Sequence, residues 1–240
     1  MKSERGVALS TYYFYRMTDD TGNAPCVFEK NYKPTPNLLT LACCKGGQIR
    51  HNKNGNIVPV KTGLRYSVGE RFYKHKSEKS EDLFVIGIMV NRVVYVAKIT
   101  NVILMTEYFE KDSNYRNRMD CIYDVSDNVM CFENGYKWAL SRRKCFNRLF
   151  HTETEQHYRD ELGKYVLLSN NFVYFGGEQK SVTIDEVKDF MPKKQETKTY
   201  TESQHQIKEF VDSCFKTKVI AIQPTTVLNQ SNCSSKGCQK

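Results

Sequence analysis

The clearest hydrophobic patterns along this chain are those of β-strands. VALSTYYFYRM, residues 7–17, is dominated by aromatic and β-branched side chains, a composition that predicts a strand. LFVIGIMV at 83–90 and RVVYVAKITNVIL at 92–104 are apolar runs separated by a single residue. Because so short a connection joins antiparallel neighbours, these two runs are predicted to pair in that way. YVLLSNNFVYFGG, residues 165–177, predicts a strand pair or a strand followed by a turn.

Helical periodicity is strongest near the C-terminus, at about residues 204–216. Apolar residues recur there at positions i, i+3, i+4, i+7 and i+8, namely Ile207, Phe210, Val211, Cys214 and Phe215. This spacing predicts an amphipathic helix that needs a surface to cover its apolar face. The helix either docks on the core of its own chain or binds a protein partner.

Three further segments carry local signals. MTEYFEKD predicts a short helix with Thr106 as its N-cap, and SVTIDEVKDFM predicts another through a capping box at Thr183 and Glu186. Residues 46–63 contain Asn54-Gly55, which indicates a tight turn, and are predicted to form a basic β-hairpin or a mobile loop. The basic stretch 137–148 interleaves cations with aromatics, as nucleic-acid surfaces do, or forms an ordinary amphipathic helix.

Many short strands, few helices and tight turns predict an α+β fold with a central bent antiparallel sheet or β-barrel and short flanking helices. The chain shows no glycine-rich phosphate loop and no alternating βα units, which disfavours a Rossmann or P-loop enzyme. Composition changes after Pro192. We therefore expect one domain over residues 1–192, followed over 193–240 by a linker, the amphipathic helix and a disordered polar tail.

Composition narrows the partners and the compartment. The formal net charge of +9 attracts polyanions such as nucleic acid, although an ordinary basic surface explains it equally well. The N-terminal residues lack the apolar run of a signal peptide, and residues 83–90 are too few to span a bilayer. The odd number of cysteines, nine, and the adjacent pair Cys43–Cys44 indicate reduced thiols. We expect a cytoplasmic protein with no membrane partner.

Metal and cofactor signals are weak. Cys233 and Cys238 form the closest cysteine spacing apart from the adjacent pair, but no second pair matches it as in zinc knuckles, and the histidines form no HExxH motif. The sequence therefore predicts no metal site, and it identifies no cofactor.

Four stretches together resemble a known family. DDTGNAPCVF, LTLACCKGGQIR, VVYVAKITNVILMTEYF and YVLLSNNFVYFG occur in this order. Their residues and their order along the chain resemble the motifs of the nucleotide-modification-associated domain family, second type. This is a group of mostly bacterial and phage proteins encoded beside base-modifying enzymes. The segment that runs from Gly69-Glu70 into the apolar strands also resembles PUA-related barrels, some of which capture flipped bases. The resemblance implies a PUA-like barrel and a role with modified nucleotides.

The loop DDTGNAP, residues 19–25, is the first candidate site. The Asp20 carboxylate can accept hydrogen bonds from a base, and Thr21 and Asn23 can each add a donor and an acceptor. The alternative is an Asx-turn in which Asp20 bonds only to local backbone amides.

Other candidate residues supply nucleophilic, cationic and aromatic groups. Cys43 and Cys44 point to opposite sides of an extended segment, so Cys44 or its neighbour faces a pocket, where nearby Lys45 favours a thiolate. Lys45 and Arg50 can hold phosphate. Tyr13 and Tyr174 can stack on a base, and His157 can act as acid or base at neutral pH. Each role has a structural alternative. The tyrosines can pack in the core, the cysteines can be buried thiols, and the cations and the histidine can lie on a solvated surface.

Three functions remain open from the sequence. The first is a protein that binds nucleic acid or a nucleotide and recognises a modified or flipped base in a polar pocket with a basic rim. The second is an enzyme that modifies a base or nucleotide through Asp20, a Cys43 or Cys44 thiol and a histidine. The third is a host–phage interaction protein without catalysis that docks through the helix at 204–216.

Overall fold

The computed structural model describes residues 9–75, 81–131, 137–142, 154–176, 184–194, 196–201 and 205–226, and, of residues 126–131, 137–142 and 154, the backbone alone. The strands in these ranges are β1 Leu9–Arg16, β2 Phe28–Glu29, β3 Lys33–Pro34, β4 Leu39–Leu41, β5 Gly47–His51, β6 Ile57–Thr62, β7 Glu81–Met89, β8 Arg92–Lys98, β9 Asn101–Leu104, β10 Tyr123–Cys131, β11 Lys137–Arg142, β12 Tyr165–Ser169, β13 Asn171–Tyr174 and β14 Thr197–Thr201. The helices are α1 Leu64–His75, α2 Met105–Phe109, α3 Thr154–Glu161 and α4 His205–Lys216, with 3-10 helices at Lys30–Tyr32 and Asp185–Phe190.

The largest sheet has five strands in the order β13-β8-β7-β1-β14. Strands β7 and β8 pair antiparallel, which confirms the pairing predicted from their short connection. Strand β1 runs parallel to β7, with Tyr13 opposite Val85, and antiparallel to β14. The central sheet is therefore mixed, and the prediction of a purely antiparallel sheet is wrong at the β1–β7 pair, because a long connection through other elements separates these two strands.

The remaining strands form smaller sheets. One has the order β4-β12-β9, and β2–β3, β5–β6 and β10–β11 are two-stranded. The β5–β6 pair confirms the hairpin predicted from Asn54-Gly55. Two strands lie within 165–177 as predicted, but β12 and β13 belong to different sheets. The α+β class is confirmed, whereas in the described part of the chain no sheet closes into a barrel.

The central sheet is covered on both faces. Tyr13 and Tyr15 of β1 belong to the core on one face, and Tyr12 and Phe14 belong to the core on the other. Alternation along the strand accounts for this division, since successive side chains point to opposite faces. All four rings are buried. The second face is covered in part by α4.

Helix α4 confirms the amphipathic helix predicted near the C-terminus. Its apolar residues Ile207, Phe210, Val211 and Cys214 are buried against the second face of the sheet. Docking on the core of its own chain, one of the two predicted outcomes, is therefore what the structure shows for this face. Binding of a further protein through α4 stays a prediction.

Two local predictions are corrected. The resemblance to PUA-related barrels implies that Gly69-Glu70 is a glycine-acid turn entering a strand, but the pair lies inside α1. A Cβ at Gly69 would come within 2.2 Å of the Tyr165 ring, so close helix–strand packing explains the glycine. Thr106 is not an N-cap, because α2 begins directly from β9 with Leu104 in the capping position.

The remaining two local predictions fall partly outside the described residues. The helix after residue 183 is a 3-10 helix whose N-cap position is Ile184 and has no side-chain cap bond. Thr183, the predicted cap, lies outside the described residues. Within 137–148, residues 137–142 form strand β11 rather than a helix, because they pair with β10, and 143–148 lie outside the described residues.

A buried polar network anchors β4, the strand that leads toward Cys43 and Cys44. The Asp120 carboxylate accepts hydrogen bonds from the Thr40 hydroxyl at 2.6 Å and from the Tyr108 hydroxyl at 2.6 Å. Arg118 donates to Thr40 Oγ1 at 3.1 Å and lies 3.8 Å from Asp120. Burial raises the pKa of Asp120, while the Arg118 guanidinium acts in the opposite direction. This network fixes where the chain leaves β4.

Candidate functional site

A cavity of about 640 Å³ lies against the face of the central sheet that carries Tyr13 and Tyr15, at the side where β14 forms the edge. Its floor consists of Tyr13 and Tyr15 of β1 together with Thr197 and Thr199 of β14. Tyr13 is directly opposite Thr199, and Tyr15 is opposite Thr197. Since these residues are two apart on each strand, the period of the strand brings all four side chains to one face.

Five other segments form the walls of the cavity. They are the loop after β1, the turn between β4 and β5, the base of the β5–β6 hairpin, the start of α1 and helix α3. The lining residues of these segments include Thr18, Asp19, Thr21, Ala24, Cys44, Lys45, Gly46, Gln48, Lys61, Leu64, Ser67, Gln156, Arg159 and Asp160. The predicted site residues Tyr13, Thr21, Cys44 and Lys45 are therefore brought together around one space.

The turn at Cys44 and Lys45 has an unusual backbone. Both residues adopt a positive φ, 60° for Cys44 and 53° for Lys45. Non-glycine residues in this region carry strain that the surrounding structure must hold in place. The Cys44 amide donates to Asp160 Oδ1 at 2.6 Å, and the Cys44 carbonyl accepts from Arg65 Nε at 2.7 Å. These bonds fix the turn at the cavity wall.

Arg65 and Asp160 form the buried support of that turn. Arg65 is fully buried and donates to the Tyr165 carbonyl at 2.6 Å and to the Asp160 carbonyl, and its Nη2 lies 3.7 Å from Asp160 Oδ1. The second oxygen of Asp160 accepts from the Tyr123 hydroxyl at 2.9 Å. One guanidinium thus connects α1, the Cys44 turn, α3 and β12.

Two glycines let the backbones of the wall approach closely. A Cβ at Gly46 would lie 2.0 Å from the Arg159 carbonyl oxygen, and a Cβ at Gly63 would lie 2.3 Å from the Lys45 carbonyl oxygen. The Gly63 amide donates to the Gly46 carbonyl at 2.6 Å. Only residues without a side chain permit these contacts. As a result, Lys45, Lys61 and Arg159 are attached to backbone segments that touch one another.

Lys45 is a half-buried cation at this wall. Its Nζ donates to the Arg16 carbonyl at 3.2 Å and lies 5.1 Å above the centroid of the Tyr15 ring. Burial lowers the pKa of Lys45, and the nearby Cys44 thiol acts in the opposite direction. Among the described residues, no carboxylate forms an ion pair with Nζ. The ammonium is therefore held by a carbonyl and a ring, without a countercharge in that part of the chain.

The tyrosine floor presents neutral phenols. Burial raises the pKa of Tyr13 to about 12 and raises that of Tyr15 well above its ordinary value. Both rings therefore keep their protons at neutral pH. The Tyr15 hydroxyl is 2.9 Å from the Tyr95 hydroxyl, a hydrogen bond that orients its ring in the floor.

Asp20 and Tyr174 lie behind the loop that follows β1. In the described part of the chain, neither residue lines the cavity. The Tyr174 hydroxyl is 2.9 Å from each oxygen of the Asp20 carboxylate. The Thr225 amide and hydroxyl both donate to Asp20 Oδ2 at 3.0 Å. Burial raises the pKa of Asp20, while the bonds from Thr225 and Tyr174 favour the charged form. In this geometry Asp20 binds the segment around Thr225 to the loop at the cavity.

The other predicted site residues lie at different distances from the cavity. Asn23 is buried and donates to Thr21 Oγ1 at 3.3 Å, so it supports the loop. Arg50 is exposed on β5, toward the hairpin end. His157 lies on α3, where its ring stacks on Tyr123 at 4.9 Å and Nε2 is 3.8 Å from Glu161 Oε1. None of the three lines the cavity in the described part of the chain. Their functional roles stay predictions.

Sequence reasoning did not identify Arg65, Asp160 or Thr199. Arg65 and Asp160 occur in polar, charged contexts that indicate an exposed helix surface. The only local hint is the pair Gly46-Gly47 beside Cys44 and Lys45, which permits close backbone approach. The contacts that bury these residues join segments about one hundred positions apart, which no local pattern reports.

Cys44 is expected to be the most reactive of the five cysteines whose side chains the structure describes. Cys26, Cys43, Cys121 and Cys214 are buried, and burial raises the pKa of Cys26 and of Cys214 to about 12. Cys44 is half-buried, lines the cavity and neighbours the Lys45 ammonium. Iodoacetamide should therefore label Cys44 at least about tenfold faster than the four buried thiols, as measured by peptide mass spectrometry of the native protein. Equal labelling rates would contradict the exposure of Cys44 to the cavity.

The described chain gives two further negative findings. None of its helices is long and apolar enough to cross a membrane. No group of three or more His, Cys, Asp or Glu side chains within it is arranged to hold a metal ion.

Comparison with known proteins identifies the family. The sequence model of nucleotide modification associated domain 2 matches residues 9–229. No curated protein and no solved structure matches the chain. The matched range includes the whole cavity lining and the Thr225 contact. The chain belongs to the nucleotide modification associated domain 2 family.

Proposed function

We propose that this member of the nucleotide modification associated domain 2 family binds a nucleotide, free or within nucleic acid, in the cavity against the central sheet. The observation that carries the proposal is the combination of a tyrosine floor with a cationic wall around about 640 Å³. Small-molecule sites are concave and have volumes of roughly 300–1,000 Å³. The family supports a role associated with nucleotide modification.

The floor suits a base. Aromatic rings bind bases of any sequence through their π-faces, and hydroxyls near such rings can bond the polar edges of a base. Tyr13, Thr197 and Thr199 supply a ring and two hydroxyls on one face of the sheet. Lys45, Lys61 and Arg159 supply cations on the adjoining wall, where phosphate contacts position a ligand without selecting the base.

The test begins with binding of the purified protein to single-stranded DNA, duplex DNA, RNA and mononucleotides over a range of salt concentrations. Binding that weakens steeply with salt indicates phosphate contacts, and the slope gives their approximate number. No binding of any of these ligands at low salt would refute the proposal.

Tyr13 offers a variant with a closely matched control. Because the Tyr13 ring is largely buried and only its exposed edge lines the cavity, Tyr13→Leu is expected to weaken ligand binding by about fivefold, the low end of the range for one base–aromatic contact. Tyr12→Leu is the control, because Tyr12 is the neighbouring residue, is equally buried and packs on the opposite face. Isothermal titration of both variants checks this, with thermal unfolding to confirm that each is folded. Equal affinity losses would show that the effect comes from the stability of the sheet and not from the cavity.

A second candidate function is catalysis by the Cys44 thiol. Cys44 lines the cavity beside Lys45, and a neighbouring ammonium group favours ionisation of a thiol. In this candidate the thiolate adds to an electrophilic ring carbon of the bound base, the adjacent π bond breaks, and its electron pair takes up a proton from solvent. Cys44→Ser then retains affinity and loses turnover, whereas a protein that only binds shows no turnover to lose. The roles first predicted for Asp20 and His157 in such chemistry stay predictions, as does the PUA-like barrel.

A further inference from the structure

Building on the proposed function, we infer that the ligand is a single nucleotide with a terminal phosphate, and that its phosphate binds at the wall formed by Lys45, Lys61 and Arg159. This set is called the cationic wall below.

The three cations meet because their backbones are in contact. Gly46 adjoins the Arg159 carbonyl, and Gly63 adjoins the Lys45 carbonyl. Lys61 pairs with Gln48 at the base of the β5–β6 hairpin, and both line the cavity. The cationic side chains therefore reach the cavity from one side, and the tyrosine floor lies on another.

Two of the three carboxylates among the described lining residues, Asp160 and Asp19, have partners of their own. Asp160 accepts from the Cys44 amide and the Tyr123 hydroxyl and lies beside Arg65. Asp19 Oδ1 accepts from the Thr226 hydroxyl at 2.8 Å. Glu196 is exposed at the β14 side. Lys45, in contrast, makes its hydrogen bond to a carbonyl, and an anion from the ligand would provide its countercharge.

The depth of Lys45 favours a terminal phosphate over a polymer. Lys45 is half-buried beside the Tyr15 ring, whereas Lys61 and Arg159 are exposed. A phosphate monoester carries close to two negative charges at neutral pH and can enter the cavity whole. A nucleic-acid chain continues on both sides of the bound nucleotide, and a cavity of this size cannot hold those neighbouring nucleotides. The phosphodiesters of the chain would therefore stay near the rim of the cavity. The first turn of α1, which also lines the wall, adds the partial positive charge of a helix N-terminus.

The experiment compares each deoxynucleoside with its 5′-monophosphate by isothermal titration of the full chain, beside a single-stranded DNA of twelve nucleotides. We expect the Kd of the tightest-binding monophosphate to be about tenfold or more below the Kd of its nucleoside. It should also be below the Kd of the DNA expressed per nucleotide. Lys45→Gln should reduce the preference for the monophosphate to about threefold or less. Lys53→Gln is the control, since Lys53 is an exposed lysine at the tip of the β5–β6 hairpin, away from the cavity lining. Thermal unfolding establishes that both variants are folded.

The outcomes separate this inference from the proposed function. Equal affinity for nucleoside and monophosphate would overturn the phosphate site and leave base binding intact. Tight binding of the DNA with weak binding of every monophosphate would overturn the choice of ligand and leave nucleic-acid binding intact. Equal effects of Lys45→Gln and Lys53→Gln would show that net charge, and not the cationic wall, accounts for the affinity. If no nucleotide, nucleoside or DNA binds, the proposed function fails together with the inference.

Discussion

Replacement of Arg65 by methionine is expected to lower the free energy of unfolding by about 3–5 kcal/mol, the usual cost of removing one partner of a buried ion pair. Arg65 is fully buried and binds the carbonyls of Cys44, Tyr165 and Asp160. Methionine fills much of the volume but donates no hydrogen bond. It therefore leaves the Asp160 carboxylate without the Arg65 countercharge and removes the guanidinium donor from all three carbonyls, of which that of Asp160 keeps the bond from the Gly163 amide.

Urea unfolding of wild type and variant measures this loss. Arg50→Met is the control, because Arg50 is exposed on β5 and its replacement removes the same charge at a cost of about 0.5 kcal/mol or less. The double variant Arg65→Met/Asp160→Asn should be less destabilised than the sum of the two single variants, since both act on one pair. Additive losses would show that Arg65 stabilises the protein independently of Asp160.

The same substitution tests how the cavity wall is positioned. Without Arg65, the strained turn at Cys44 and Lys45 loses the bond to the Cys44 carbonyl. In conditions where the variant stays folded, we expect faster alkylation of Cys44 and weaker nucleotide binding than in wild type. Unchanged Cys44 reactivity would mean that the Asp160 bond to the Cys44 amide suffices to hold the turn.

The second large effect is expected at Asp20. Asp20→Ala should lower the free energy of unfolding by about 2–3 kcal/mol, because the buried Tyr174 hydroxyl and the Thr225 amide lose their acceptor. The Thr225 hydroxyl loses its bond to Asp20 and keeps the Gly176 carbonyl as acceptor. Asp19→Ala is the matched control, since Asp19 is exposed and its carboxylate bonds to the hydroxyl of Thr226. Its loss should be about 1 kcal/mol or less. A loss as large at Asp19 as at Asp20 would contradict the role assigned to the buried carboxylate.

The pH dependence of Asp20→Asn gives an independent check. Burial raises the folded-state pKa of Asp20 above its ordinary value of 3.8, so the folded state holds this proton to higher pH than the unfolded state does. The resulting contribution to stability is present below 3.8 and is lost as pH rises through the folded-state pKa. Asparagine does not ionise. The stability of wild type relative to Asp20→Asn should therefore fall as pH rises through this window, and parallel pH profiles would contradict a raised pKa.

Several elements were predictable because their determinants are local. The strand at Leu9–Arg16 and the β7–β8 pair follow from apolar runs and a short connection, and helix α4 follows from its 3.6-residue period. The hairpin of β5 and β6 follows from the turn chemistry of Asn54-Gly55. The predicted cap at Thr106 was wrong because α2 follows directly from β9, which places Leu104 in the capping position.

The candidate site was predictable only in part. Tyr13, Thr21, Cys44 and Lys45 were identified from residue type and from the resemblance of their motifs, and these four line one cavity. Asp20 and Tyr174 come from the same motifs but contact each other behind the loop. Residue type indicates what a side chain can bind, and the fold decides whether a ligand or another part of the chain is the partner.

The sequence by itself therefore determined the α+β class, the main strands, the amphipathic helix and the family, because periodicity, turn residues and motif order are written along the chain. Only the tertiary structure decided which face of β1 borders a cavity, that β1 runs parallel to β7, and that Arg65 and Asp160 support the Cys44 turn. These features depend on contacts between distant segments. Close approach at Gly46 and Gly63, and not any local pattern, brings Lys45, Lys61 and Arg159 to one wall.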